Sequence, residues 1–134
     1  MKLIDTNIWV HALSRDSPKK ERAQDTTNIL MGLGEAAIST QTLLELYAAM
    51  TKTLPPAVSA KWSEKFAKSR NIIKFEPTLA DTEVAIELAR KQGLRRSEIF
   101  DALLAATALR NGVKTILTEN VRHFEKLGMK VETL

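Results

Sequence analysis

The chain of 134 residues is long enough to form one domain whose core needs no disulfide to stabilise it. Its 44% apolar and 27% charged residues are typical of a globular protein and exclude a disordered or fibrous chain. Because cysteine is absent, disulfides, thiolate zinc sites, iron–sulfur clusters and cysteine nucleophiles are all excluded. Twenty basic against sixteen acidic residues give a net charge of +4, which mildly favours polyanionic partners.

The beginning of the sequence lacks the pattern of a secretory signal. Asp5 and Asn7 stand where a signal peptide would need its apolar centre. The longest apolar run, at residues 102–109, is far shorter than the roughly 18 residues of a membrane span. These features predict a cytoplasmic protein with no membrane partner.

Short apolar runs alternate with longer stretches of helical period along the chain. In chain order they predict a strand at 2–5, a helix at 19–33, a strand at 36–39, helices at 41–52 and 59–70, a strand at 72–75, helices at 78–92 and 98–111, a strand at 115–117, a helix at 121–126 and a strand at 130–131. Thr78 and Asp81 form a capping box at the start of the fourth helix, and Gly93 ends it.

Strands that alternate with helices indicate a parallel sheet covered on both faces. In such sheets the ligand site lies beyond the carboxyl ends of the strands. The residues at or just after these ends are Asp5, Ser39 and Thr118. These three residues are therefore the first to consider as parts of a functional site.

Three acids stand in apolar surroundings, whereas the others lie among polar neighbours or cap a helix. Asp5 ends an apolar strand, Glu45 is the only charge between residues 43 and 50, and Asp101 is the only charge between residues 99 and 109. The last of these helices is apolar nearly all round, which is typical of a buried helix. A buried carboxylate costs several kcal/mol unless it is paired, protonated or bound to a metal.

Each acid also has a purely structural interpretation. Asp5 can cap a helix that begins near Thr6, and Glu45 completes a formal capping box, although Ser39 is a better cap for that helix. Asp101 falls in the first turn of its helix, where a negative charge gains about 0.3–1 kcal/mol from the dipole. Because ligand sites lie beyond the carboxyl ends of parallel strands, Asp5 is nevertheless expected at such a crevice. The helices that carry Glu45 and Asp101 can flank the same crevice.

If the three carboxylates converge, they require a cation. Two carboxylates 4 Å apart repel by about 4 kcal/mol at an effective dielectric of 20. No lysine or arginine lies within the apolar segments that carry Glu45 and Asp101. Mg²⁺ or Mn²⁺ prefers such oxygen ligands, and carboxylate-bound Mg²⁺ chiefly serves phosphate chemistry.

Four motifs in a fixed order carry a resemblance to a known family. They are Asp5-Thr6-Asn7 after the first strand, Glu45 in an apolar helix, Asp101 in the run from Phe100 to Ala108, and Thr118-Glu119-Asn120 before Phe124. The sequence resembles the PIN domain, and in particular the VapC ribonuclease toxins of type II toxin–antitoxin systems. The resemblance implies a single domain at 1–134 with a three-layer α/β/α sandwich around a short parallel sheet. It also implies a Mg²⁺- or Mn²⁺-dependent endoribonuclease that forms homodimers and has a cognate antitoxin.

The resemblance assigns roles to individual residues. Asp5, Glu45 and Asp101 would bind the metal, and Thr118 and Asn120 would complete the catalytic site. Thr6 and Asn7 would orient ligands or water. Arg95 and Arg96 are candidates for binding RNA, because they lead into the helix that carries Asp101.

The fourth acidic position of the family departs from its usual pattern here. The aligned residue is Asn120, with Glu119 beside it, and His123 stands where some members have aspartate. We therefore expect one metal rather than two in the resting site. On the residues alone, His11 and His123 are expected to be surface or hydrogen-bonded side chains.

Other functions stay open at the level of sequence. A phosphoacceptor receiver domain would need adjacent acids after its first strand and a lysine after its fifth, and this chain offers Asp5 alone. A free-standing RNA-processing nuclease and a catalytically silent module that binds RNA or protein remain as alternatives. Trp9 is expected to pack in the core. The helix with Trp62 either packs or presents a face to a dimer partner or antitoxin.

Overall fold

The computed structural model describes all residues from 1 to 134. Five strands alternate with seven helices in the order β1 (Lys2–Ile4), α1 (Thr6–Leu13), α2 (Lys20–Gly32), β2 (Ala36–Ser39), α3 (Thr40–Met50), α4 (Pro56–Lys68), β3 (Ile73–Phe75), α5 (Leu79–Gln92), α6 (Glu98–Arg110), β4 (Thr115–Leu117), α7 (Val121–Glu125) and β5 (Lys130–Glu132). All five predicted strands and all six predicted helices are present. None of the helices combines the length and apolar character that a bilayer crossing requires.

The structure adds one helix and lengthens another. Helix α1 was expected only as one interpretation of Asp5, because β-branched and aromatic residues such as Ile8 and Trp9 favour strands. The Asp5 side chain fixes its start by accepting a hydrogen bond from the backbone N–H of Thr6 at 2.7 Å. Helix α4 begins at Pro56 rather than at residue 59, because proline suits the first position of a helix.

The five strands form one parallel sheet in the order β3-β2-β1-β4-β5. The direction of chain progression reverses between β1 and β4, which makes their boundary the switch point where a ligand crevice opens. Ile4 pairs with Leu117 in the register of these two strands. The residues that follow them, Asp5 and Thr118, therefore lie side by side at the crevice.

Each face of the sheet packs against its own helices. Leu3 and Ile116 point into a cluster with α5, α6 and α7. Their neighbours Ile4 and Leu117 point into the opposite cluster, with α1 to α4. This alternation buries both faces of the strands and confirms the predicted three-layer α/β/α sandwich.

An ion pair between the buried Asp81 and the exposed Arg110 joins α5 to α6. Asp81 is 2% exposed and completes the predicted capping box with Thr78. Its carboxylate accepts from Arg110 Nε at 2.7 Å and Nη2 at 3.0 Å, while Nη2 also donates to the Glu76 carbonyl at 3.0 Å. This contact fixes α6, which carries Asp101, against its neighbouring helix.

Candidate active site: an acidic pocket at the carboxyl edge of the sheet

Asp5 lies at the bottom of the pocket and is 5% exposed. Its Oδ2 accepts from the Thr118 hydroxyl at 2.6 Å and from Asn7 Nδ2 at 3.2 Å, and its Oδ1 accepts from the Thr6 backbone N–H. These donors are neutral, and no lysine, arginine or histidine forms an ion pair with Asp5. The fold therefore buries a carboxylate with hydrogen-bond donors but without a counter-charge.

The surroundings of Asp5 favour its protonated form. Burial raises the pKa of Asp5 from 3.8 to about 6, although the hydrogen bonds from Thr118 and Thr6 oppose this rise. The negative charges of Asp101 and Glu45 contribute to this rise as well. The electrostatic effect shows that the three acids predicted from the sequence are close enough to repel one another.

Glu45 enters the pocket from α3. Its Oε2 accepts from the Thr6 hydroxyl at 2.7 Å and its Oε1 from Gln41 Nε2 at 2.6 Å. Thr6 thus contacts Asp5 through its backbone and Glu45 through its side chain. Gln41 Nε2 also donates to the Phe100 carbonyl at 3.1 Å, which connects Glu45 to the start of α6.

Asp101 enters the pocket from the first turn of α6. Burial raises its pKa, its hydrogen bond and charge interaction with His123 lower it, and the charges of Glu45 and Glu98 raise it. The contact with His123 joins Nδ1 to Asp101 Oδ2 at 2.8 Å. As placed, no three aspartate, glutamate or histidine side chains form a ready metal cluster. The oxygens of Glu45 and Asp101 instead contact protein donors.

Thr118 is central to the pocket, whereas the Asn120 side chain is outside its hydrogen-bond network. Thr118 is fully buried, and its hydroxyl accepts from the Asn120 backbone N–H at 3.0 Å and from Asn7 Nδ2 at 3.3 Å. The Asn120 side chain is exposed and forms no hydrogen bond. Asn120 therefore contributes its backbone to the pocket in this structure.

Glu119 belongs to a separate ion cluster. Its carboxylate pairs with Lys19 and with His11 Nε2, the latter at 2.8 Å, while His11 Nδ1 contacts Ser17 Oγ at 2.6 Å. Hydrogen bonds from Lys19 and His11 hold the pKa of Glu119 below its usual range. The acid next to Asn120 thus already has a cationic partner in Lys19, and His11 is hydrogen-bonded as expected.

Arg95 and Arg96 lie in the exposed turn between α5 and α6. Arg96 has a left-handed backbone with φ of 52°. Neither side chain forms an ion pair, so both guanidinium groups are available to an anion. The structure does not bring either one into contact with the three acids.

Two residues of the pocket were not given roles at this site from the sequence. Gln41 lies four residues before Glu45, a spacing that places the two side chains on one face of α3 and would have revealed their contact. The contact between His123 and Asp101 had no such signal, because 22 residues separate them and the orientation of α7 decides it.

Fold and pocket together define a parallel α/β/α protein with an uncompensated acidic site at its switch point. A model of the PIN domain matches residues 2–129 of the chain. Ribonuclease VapC24 of Mycobacterium tuberculosis is 30% identical over 134 residues, covering 96% of this chain and 92% of that protein. The chain therefore belongs to the PIN domain family, as its motifs suggested.

Solved structures agree with this assignment. A chain of the DNA-bound VapBC structure from Salmonella typhimurium has a TM-score of 0.70 and 25% identity, covering 99% of this chain and 98% of that one. VapC20 of Mycobacterium tuberculosis has a TM-score of 0.72 at 16% identity, covering 87% of each chain, which is a likeness of fold alone.

Proposed function

We propose that this protein is a metal-dependent endoribonuclease that hydrolyses phosphodiester bonds in RNA. The observation that carries the proposal is the burial of Asp5 without a counter-charge beside Glu45 and Asp101. The similarity to Ribonuclease VapC24 supports RNA as the substrate. A buried acidic cluster that lacks a cation from the protein suits a divalent cation from solution.

The donor set fits Mg²⁺ or Mn²⁺. Every candidate ligand is a carboxylate oxygen, and these hard cations prefer oxygen over sulfur or nitrogen. Asp5, Glu45 and Asp101 would hold the ion. Asp101 would use its Oδ1, which accepts no side-chain hydrogen bond, and Glu45 would release one of its two hydrogen bonds. When bound, the ion supplies positive charge to the phosphate oxygens and makes a water more acidic.

The remaining residues of the site position these acids and the RNA. Thr118, Thr6 and Asn7 keep the Asp5 carboxylate in place through the hydrogen bonds described above. Asn120 stands at the rim, where its free amide can donate to the substrate. The family resemblance suggests a chain cleaved to a 5′-phosphate and a 3′-hydroxyl end.

Arg95 and Arg96 would contact phosphates on either side of the cleaved bond. Both are exposed, carry no ion pair and precede the helix with Asp101. Because such contacts release counterions, RNA affinity should fall as salt rises.

We further propose that the protein is the toxin of a toxin–antitoxin pair, that it forms a homodimer and that it acts in the cytoplasm. The name of VapC24 and the description of the Salmonella relative as DNA-bound VapBC support a cognate antitoxin. The alternative is a free-standing RNA-processing nuclease. Growth arrest on expression that is relieved by co-expressing the product of an adjacent reading frame would support the toxin, and its absence would favour the free-standing enzyme.

The nuclease proposal is tested with purified protein, a labelled single-stranded RNA, and either Mg²⁺ or EDTA. Asp5→Asn and Asp101→Asn should each lower the cleavage rate by about a hundredfold or more, because each removes a ligand charge. Asp25→Asn is the matched control, because Asp25 is exposed and distant in sequence from the three acids. If Asp5→Asn protein cut RNA at the parent rate in Mg²⁺, the catalytic assignment would be wrong. RNA binding without cleavage by the wild type would indicate the silent module.

A further inference from the structure

The three acids of the pocket differ in how firmly they are held. Asp5 accepts hydrogen bonds from three donors and Glu45 from two, all of which come from α1, α3 or the end of β4. Asp101 has a single side-chain partner, the Nδ1 atom of His123. The orientation of the Asp101 carboxylate in the pocket therefore depends on its one hydrogen bond with the His123 imidazole.

Helix α7 is anchored firmly enough to give that imidazole a fixed position. Phe124, the residue next to His123, is fully buried in the core that also contains α6. The start of α7 is tied to Thr118 through the Asn120 N–H, and the Lys126 carbonyl just after it accepts from Gln92 Nε2 at 2.6 Å. The position of His123 is thus set by the same core that places Asp101.

The direction of the hydrogen bond follows from the chemistry of the two groups. A carboxylate can only accept, so His123 Nδ1 carries the proton and donates to Asp101 Oδ2. The other oxygen, Oδ1, accepts no hydrogen bond from a side chain and is free to bind a cation. One donor on one oxygen is the arrangement that restricts rotation of a metal-binding carboxylate.

The surroundings of His123 argue against a direct contact with substrate through the same recess. His123 and Asp101 line a recess together with Glu98 and Lys126, and its volume is about 40 Å³. This is room for about one water molecule and not for a nucleotide. Within this recess the imidazole therefore contacts the carboxylate and not RNA, while the rest of the His123 side chain is half-exposed.

We propose that His123 is a positioning residue that orients Asp101 for metal binding. This inference rests on the proposed function and deepens it. Asn120, the residue aligned with the fourth acid, makes no side-chain contact with the pocket, whereas His123 does. Helix α7 thus supplies the pocket with a hydrogen-bond donor to Asp101.

The test compares His123→Ala with His123→Asn, since the Asn Nδ2 atom lies near the position of the imidazole Nδ1 and can donate the same hydrogen bond. Mn²⁺ affinity is measured by isothermal titration calorimetry, which needs no activity. His123→Ala should weaken Mn²⁺ binding by about tenfold to a hundredfold. It should also lower kcat at a fixed Mn²⁺ concentration, with KM for RNA unchanged. His123→Asn should restore most of both quantities.

Glu125→Gln is the matched control on the same helix, because Glu125 is exposed and its side chain contacts nothing in the structure. Thermal melting in EDTA verifies that each variant is folded. Wild-type Mn²⁺ affinity in His123→Ala would overturn the inference, as would a folded His123→Asn that binds no better than His123→Ala. If His123→Ala weakens Mn²⁺ binding but the wild type cleaves no RNA, this inference is supported and the proposed nuclease activity is contradicted.

Discussion

Two buried aspartates in this molecule differ in whether the fold supplies a cation. Asp5 and Asp81 are 5% and 2% exposed, and each accepts a backbone hydrogen bond at the start of a helix. Asp81 also accepts two hydrogen bonds from Arg110, whose guanidinium holds the pKa of Asp81 below its usual range. Asp5 has only neutral donors, and burial raises its pKa to about 6.

The comparison separates a structural acid from a functional one by a criterion other than burial. The negative charge of Asp81 is balanced by Arg110, so Asp81 can stabilise the native state at neutral pH without a ligand. Asp5 has no cationic partner within the chain, so a cation bound beside it would stabilise the native state. Four experiments test this contrast.

The largest stability effect is expected at Asp81. Asp81→Ala removes the capping box of α5 and the two hydrogen bonds from the Arg110 guanidinium, which should lower the free energy of unfolding by about 2–4 kcal/mol. Urea denaturation at pH 7 measures the change. A loss below about 0.5 kcal/mol would mean that the pair contributes nothing to stability and that the contrast with Asp5 fails.

The pH dependence should have opposite signs at the two aspartates. Because the pKa of Asp5 is higher in the folded state than the ordinary 3.8, the folded chain holds this proton more tightly. In EDTA, the Asp5 contribution to stability should therefore fall by up to about 3 kcal/mol as pH rises from about 4 to 6. Asp81 has a lowered pKa, so its contribution to stability is instead present at neutral pH and is lost as the pH falls below the ordinary aspartate pKa of 3.8.

The contribution of Asp5 is measured as the difference in unfolding free energy between wild type and Asp5→Asn. The contributions of the other carboxylates are common to both proteins and cancel in this difference. A difference that stays constant between pH 4 and 7 would contradict the raised pKa.

Substitution of Asp5 itself should stabilise the protein when no metal is present. Asp5→Asn removes a buried charge and keeps a side chain of the same shape, so the free energy of unfolding at pH 7 in EDTA should rise by roughly 1–3 kcal/mol. Added Mg²⁺ should raise the melting temperature of the wild type and not that of the variant. A variant that is less stable than wild type in EDTA would show that Asp5 acts mainly as the cap of α1.

The smallest effect is expected at Glu119, a third acid at the same edge of the sheet. It is paired like Asp81, with Lys19 and His11, but its side chain is 28% exposed. Since exposed pairs contribute little, Glu119→Gln should change the free energy of unfolding by less than about 1 kcal/mol, measured by the same urea titration. A larger loss would indicate that this cluster supports the pocket through the Glu119 N–H that contacts Asn7.

The sequence predicted the layers and the edge of the sheet where the site lies, because both follow from local patterns. Apolar runs of three or four residues define β1, β2 and β4, and the strand-end rule placed Asp5 next to Thr118. Helix α1 was not assigned firmly, because Ile8 and Trp9 favour strands. The start of this helix depends on a single side chain, the N-cap Asp5.

The acids of the site could be selected from sequence because each interrupts an apolar stretch, but their partners could not. That Thr6 contacts Glu45, and that His123 rather than Asn120 contacts the pocket, depends on how helices distant in sequence pack. Nor did the sequence separate Asp81 from Asp5 by their counter-charges, since Arg110 lies 29 residues from Asp81 and reaches it only through the pairing of α5 with α6.

Helix α6 buries a series of alanines, including Ala102, Ala105 and Ala108, each fully inaccessible to solvent. Methyl groups let a helix approach its neighbours closely, and larger side chains widen the interaxial distance. Asp101 is attached to this helix, so the separation of its carboxylate from Asp5 is set by side chains that face away from the pocket. For the proposed metal site, engineering of ion selectivity would therefore begin with the size of these alanines, because one added methylene would change the space between the three acids without replacing any of them.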